Sequence, residues 1–400
     1  MHRGVLIVSI AGLAAVCLLA FQTRGGGPGE GLRYAAGGIL GGFAGFALYH
    51  AAFGFTGAWR RLVRERRGAG VRAQIVLLGL TCSVTYLLIG YEAVTGWNMH
   101  PVVIGMGLSS AIGAFAFGVG MQLGGGCASG TLFTAGGGST RMVVTLIFFI
   151  LGSALATAHM TEFWLRLDDL TGIPNLPGIS VISRFGPIGG LSLVLAVLAV
   201  FWVVSTRVER RAHGGLEQPR AQGPLLTGPW SMTLGAVALA LVCIGCFVLF
   251  QRPWGVTSGF ALWGAKLLQA AGVPVDNWGY WSGWRAGTLE RSVFADRVSV
   301  MNFGIILGAM AAASLAGRFA PIWRLGGREL ATAVLGGLLM GYGARLAYGC
   351  NIGAFLGGIS SGSLHGWWWL IWGFAGSLLG IRFRRFLHMD PAPTAARAAT

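Results

Sequence analysis

The sequence predicts an all-α polytopic membrane protein of about ten transmembrane helices and four re-entrant hairpins, arranged as two inverted repeats. Three observations predict it. The 400 residues are 54% hydrophobic and 10% charged, with a mean hydropathy of +0.68, whereas soluble domains carry about 25% charged residues. Apolar runs such as 187–206 and 141–159 have the length a helix needs to cross about 30 Å of hydrocarbon. The 68 glycines are about 17% of the chain, against about 7% in ordinary proteins. They permit close helix approach in lipid and irregular backbone inside protein.

Taken in order, the spans fall at about 4–21, 32–50, 72–91, 101–122, 141–159, 187–206, 230–250, 299–317, 329–349 and 365–386. The first has a His2-Arg3 start like a signal sequence, but no small-residue cleavage site stands out. Val16 before Cys17 makes a poor lipoprotein site, so the stretch is expected to remain as an uncleaved span. Four Gly-containing segments, about 51–60, 124–138, 254–268 and 350–362, are too short or too Gly-rich to span. They fit re-entrant hairpins shielded by the surrounding helices.

This order repeats. From 32 to 159 the chain runs span, hairpin, span, span, hairpin, span, and from 230 to 386 it does so again. Gly113, Gly118, Gly120, Gly126, Cys127 and Gly130 match Gly336, Gly341, Gly343, Gly349, Cys350 and Gly353 at one constant offset. Gly152-Ser153 then matches Gly376-Ser377 after one inserted residue, and Phe53–Arg60 matches Phe260–Lys266 more weakly. The expected division is therefore 1–31, a first span and outer loop; 32–159, repeat 1; and 160–229, an outer loop, a linking span and a basic linker. Repeat 2 follows at 230–386, with a cytoplasmic tail at 387–400.

Four spans per repeat and one between them make the second repeat enter the membrane from the opposite side. The net charge of +16 does not point to nucleic acid, because the arginines sit between apolar runs. With the N-terminus in the cytoplasm, Arg60–Arg72, Arg207–Arg220, Arg318–Arg328 and Arg382–Arg385 all fall inside, as the positive-inside rule requires. The acidic residues Glu92, Glu162, Asp168 and Asp169 fall outside, and the outer loop 269–298 is mixed. Both termini are thus expected in the cytoplasm. The Cys127 and Cys350 hairpins then enter from opposite faces, which places the two thiols in series along one route.

Gly-rich hairpins expose backbone N–H groups and helix N-termini, which favour an anion. Gly126, Ser129 and Gly130 surround Cys127; Gly349, Asn351 and Gly353 surround Cys350. The same glycines also serve tight packing. Arg345 is the one arginine well inside an apolar span, and a charge there is a functional candidate. Its counterpart in repeat 1 is the neutral Gln122, and the chain's single lysine, Lys266, is expected near the outer face. Carboxylates are almost absent from the spans, which disfavours a cation or proton carrier. A set of Cys, Ser, Thr, Asn and Arg suits an anion, and a soft sulfur-bearing one in particular, since a thiol is a weak S–H donor. Cys243-x-x-Cys246 leaves a competing membrane thiol–disulfide oxidoreductase, although packing inside an apolar helix accounts for the pair. A passive channel is the third class. No histidine cluster accompanies any cysteine, so no metal or other cofactor is expected.

The segments Gly124–Phe133 (GGGCASGTLF), Gly343–Gly353 (GARLAYGCNIG), Phe53–Arg61 (FGFTGAWRR) and Pro253–Lys266 (PWGVTSGFALWGAK) resemble the YeeE/YedE sulfur-transport family of bacterial inner-membrane proteins. The likeness runs from about residue 32 to 386. It implies an inverted-repeat, hourglass-shaped carrier, not an enzyme. Such a carrier takes up thiosulfate and passes it between cysteines by S–H···S contacts, with a soluble sulfur-carrier protein as a candidate cytoplasmic partner. Thiosulfate members carry a third cysteine in the first hairpin, where this chain has Gly54. Other members are associated with selenium, so a selenium species is an alternative cargo.

Overall fold

In a computed structural model, residues 1–23, 29–173 and 175–389 are described. Part of the first outer loop (24–28), the side chains of Asp168 and Asp169, and the tail beyond 389 lie outside them. The long and short helices alternate as expected. The first half comprises α1 (Arg3–Thr23), α2 (Glu30–Ala51), α3 (Phe55–Glu65), α4 (Ala69–Gly90), α5 (Leu108–Gly124), α6 (Ala128–Gly136) and α7 (Thr140–Met160). The second comprises α8 (Val181–His213), α9 (Met232–Phe250), α10 (Thr257–Ala270), α11 (Arg297–Leu315) and α12 (Gly327–Leu346). A π-helix (Asn351–Leu356) then runs into α13 (Gly357–Ser360), and α14 (Leu364–Phe386) follows.

Among the described residues nine helices are long and apolar enough to cross a membrane. Because short and long helices are joined in this count, it contains α2 with α3, α5 with α6, and α12 with the π-helix and α13. The tenth expected span, α14, has 23 residues but is not among the nine; it carries four tryptophans and ends on Arg382, Arg384 and Arg385. The long α8 contains Pro187, and Gly186 just before it leaves the helical conformation with φ 71°, as a residue preceding proline tends to do.

Helix packing is preserved when the halves are exchanged. Helix α7 packs on α12 and α14 on α5; α2 on α11 and α9 on α4; α10 on α7 and α3 on α14. The pairs α5–α12 and α2–α9 map onto themselves. Helices α1 and α8, both outside the expected repeats, take matching places against α11 and α4. The register agrees with the matched residues. A Cβ on Gly113 would meet the Gly343 carbonyl at 2.8 Å, and one on Gly120 would meet the Gly336 carbonyl at 2.9 Å. Because Gly113 corresponds to Gly336 and Gly120 to Gly343, this is one reciprocal crossing made twice, the signature of a two-fold relation. Likewise, Gly118 lies against Ser377, and its counterpart Gly341 against Ser153. The weaker match does not keep its register: α3 starts at Phe55 and α10 at Thr257, so Phe260 lies inside its helix while Phe53 precedes its own.

The arginine-rich segments gather at one end. Buried Glu209 pairs with Arg72 at 2.8 Å and Arg67 at 3.3 Å, and accepts from the backbone N–H groups of Gly68 and Glu217. Arg61 pairs with Glu217 at 2.7 Å, and the His2 amide donates to Ser314 O. A buried carboxylate is costly unless paired and hydrogen-bonded, and these four donors meet that need. At the other end, Trp281 Nε1 donates to Thr157 Oγ1 and Trp164 Nε1 to Tyr342.

Candidate functional site

Each cysteine follows a sharp turn. After α5 the chain passes Gly125, which has φ 92°, a left-handed value that glycine adopts at no steric cost. Cys127 is then the N-cap of α6, with extended φ −80° and ψ −171°. In the second half the turn runs through Tyr348, at φ 59°, and Cys350 caps the π-helix with φ −107° and ψ −167°. Both thiols therefore stand beside the first, unpaired N–H groups of a helix, where the backbone dipole favours negative charge. The amides of Gly353 and Ile352 reach the Cys350 sulfur, and Ser129 Oγ lies 3.5 Å from Cys127 Sγ. A Cβ on Gly130 would lie in van der Waals contact with that sulfur, at 3.4 Å. Helix α6 and the π-helix touch each other.

Two cavities approach these turns from opposite ends. One of about 230 Å³ on the arginine-rich side is lined by Gly54, Gly125, Gly126, Cys127 and Gly130. The other, about 700 Å³, is lined by Thr257, Tyr280, Arg345, Gly349 and Gly353. Cys350 is 0% exposed and Cys127 1%, and Cys350 itself lines neither cavity. Aromatic rings fill the space near the turns: Phe355 lies 5.9 Å from Phe55 and stacks on Trp369 at 6.3 Å. Gly54 caps α3, and a Cβ built on it meets nothing within 4 Å, so the position expected for a third thiol borders open space.

Arg345, 7% exposed, donates from Nη1 to the Tyr280 hydroxyl at 3.0 Å and from Nη2 to Thr257 Oγ1 at 2.8 Å. The Arg285 guanidinium covers the Tyr280 ring at 4.2 Å and the Trp284 ring at 4.1 Å, and Arg252 joins the same wall. Burial raises the Tyr280 phenol, but the Arg345 and Arg285 guanidiniums outweigh it and hold the phenol below its usual range. The cavity's one carboxylate, Asp296, is engaged by the amide and hydroxyl of Ser299. The wide mouth is thus electropositive.

Several buried polar atoms near the turns have no protein partner: both amide atoms of Asn351, Arg345 Nε, Gln122 Oε1, Thr56 Oγ1 and Ser361 Oγ. Leaving one such atom unpaired costs about 1–3 kcal/mol. Gln122 otherwise donates to Thr56 O and Ser377 Oγ. Lys266 is not brought in; its ammonium donates to Leu289 O under the outer loop. Sequence reasoning missed Tyr280, Thr257 and Arg285. The only signal was the crowding of Trp278, Tyr280, Trp281, Trp284 and Arg285 in a loop that otherwise reads as mixed. Cys243 and Cys246 are buried in the helical core, with Cys246 Sγ 3.7 Å from Met301 Sδ.

Two known transporters align with most of this chain. The chain is 26% identical over 342 residues to the thiosulfate transporter TsuA of Spirochaeta thermophila, covering 82% of this chain and 93% of that one. It is 25% identical to the thiosulfate transporter TsuA of Escherichia coli K12, over 90% of this chain and 96% of that one. The probable transporter YedE of Escherichia coli K12 is 34% identical over 154 residues, 38% of either chain. The match thus spans well under half the length of the YedE relative. The family model described as sulphur transport matches residues 50–379, and it contains both cysteine turns and the cavities that reach them: the protein belongs to the sulphur transport family.

Proposed function

We propose that this multi-pass protein carries thiosulfate or a related sulfur-containing anion into the cell across the bacterial inner membrane. The observation that carries this reading is the contact between two cysteine-capped helices, each with its own cavity beside the capping turn. TsuA relatives that align over most of this chain, and are named thiosulfate transporters, support the cargo. In this reading the short helices are re-entrant, the repeats are inverted, and the arginine-rich end faces the cytoplasm. An anion gathers at the wide mouth beside Arg345, then moves to Cys350 with Gly349, Asn351 and Gly353. It passes next to Cys127 with Gly126, Ser129 and Gly130, while Gln122 keeps the lower turn in place. Lys266 acts only through its positive charge near the mouth.

The chemistry fits a carrier. Thiol S–H and helix N–H groups donate weak hydrogen bonds to a soft anion, strong enough to replace part of its hydration and weak enough to release it. Nothing in this path forms or breaks a covalent bond, so no enzyme is invoked. A soluble sulfur-carrier protein at the cytoplasmic face would receive the released cargo. Uptake of labelled thiosulfate, sulfate and selenium oxyanions into cells expressing the chain tests the reading. Saturable thiosulfate accumulation above empty cells is expected. Background uptake with the protein present in the membrane would overturn it, and preference for a selenium oxyanion would move the cargo rather than the mechanism.

A further inference from the structure

A third cavity, about 570 Å³, opens at the arginine-rich end and is separate from the cysteines. Its wall brings together Arg141 from α7, Arg220 from the linker after α8, and Arg318 and Arg324 from the segment between α11 and α12. Three segments distant in sequence thus contribute arginines to one wall. The only carboxylate in the wall, Glu329, accepts from the amide of Gly326 at 3.1 Å and acts electrostatically on Arg141. Arg141 is held by Leu123 O at 2.7 Å and Thr332 Oγ1. Among the described residues Arg220, Arg318 and Arg324 form no ion pair. His50, 3% exposed, lies in the same wall with its Nε2 buried and unpartnered.

Arg220, Arg318 and Arg324 are solvent-exposed, and four arginines against one carboxylate leave the wall with a net positive charge that attracts a negative guest. Guanidinium forks match the paired oxygens of an oxyanion. The volume admits a small, multiply charged ion with its water. Ala52, Phe133 and Thr134 belong to this wall and to the wall of the Cys127 cavity, so the two spaces are neighbours.

We propose that this arginine cavity is a second anion site, taking a free divalent oxyanion of the sulfate class at the arginine-rich end. It does not depend on the cysteines, and therefore stands or falls separately from the transport reading. The test is equilibrium binding of labelled inorganic sulfate to the purified full chain in nanodiscs of zwitterionic lipid. The combined substitution Arg318→Gln and Arg324→Gln is expected to weaken binding at least tenfold, while Arg382→Gln, an exposed arginine of α14 outside this wall, leaves it unchanged. Arg220→Gln, in the exposed linker, is expected to weaken it severalfold, which covers the case of a misfolded double variant. Sulfate binding equal to wild type in both arginine variants would overturn the proposal. So would an absence of sulfate binding together with arginine-dependent retention of an anionic lipid, since the site would then hold a headgroup phosphate.

Discussion

The two cysteine turns share a motif and a backbone conformation, yet they differ in everything around it. At Cys127 a regular α-helix of nine residues follows, the sulfur borders a small cavity, and a serine hydroxyl lies beside it. At Cys350 a π-helix follows, the sulfur is enclosed, and the adjacent Asn351 amide is left wholly unpaired. Five residues before Cys350 stands a charged Arg345, and five before Cys127 a neutral Gln122. Widened π turns inside helical segments recur at functional sites. The comparison teaches that one glycine–cysteine turn is compatible with two surroundings, a charged one beside Cys350 and a neutral one beside Cys127.

If both cradles are stations on one path, removing either thiol stops transport. Cys350→Ala and Cys127→Ala are each expected to lower labelled thiosulfate uptake on the order of 100-fold, following the loss of a hydrogen bond to a charged group at about 1.5–3 kcal/mol. Membrane levels of both variants should match wild type. Full activity in one variant would remove that station; full activity in both would end the two-station scheme.

Arg345→Gln makes the mouth side resemble the other. Uptake efficiency should fall about tenfold, mainly through a higher KM, with a weaker dependence on ionic strength because the screened attraction is gone. An unchanged KM would return Arg345 to a purely structural role with Tyr280 and Thr257.

Asn351→Leu separates cost from use. Removing two unpaired buried atoms is expected to stabilise the protein by about 1 kcal/mol or more, while uptake falls about fivefold, as trade-offs at binding sites predict. A loss of stability instead would mean that the amide has a structural partner. The smallest effect is expected at Ser129→Ala, about twofold on uptake, because its oxygen only supports Cys127 and a neutral hydrogen bond contributes about 0.5–1.5 kcal/mol. A drop as large as that of Cys127→Ala would make the hydroxyl a direct ligand.

Much of the fold was legible because lipid imposes a length and an apolarity on every span. The boundaries of α2, α9 and α11 follow directly from runs of apolar residues. The constant offset between Gly113–Gly130 and Gly336–Gly353 was legible because backbone-to-backbone crossings tolerate only glycine, and the crossing occurs twice. The wall of the wide cavity was not. Tyr280 and Arg285 lie on a loop of short 3-10 turns, where no periodicity tells which side chain faces inward, and Lys266 carried a charge signal but faces Leu289. The weak match between the first and third hairpins failed for a similar reason: Gly and Trp recur there without a crossing to fix their register.

By itself the sequence determined the class, because hydropathy is a local property written along the chain, and its glycine spacing and cysteine context pointed to a repeat and to two candidate thiols. Only the tertiary structure decided which polar groups meet. It gave Arg345 to Tyr280 and Thr257, left Asn351 unpaired, placed α1 and α8 in matching positions, and drew four arginines from three segments around one cavity. Those are relations between residues far apart in sequence, and they exist only once the helices have packed.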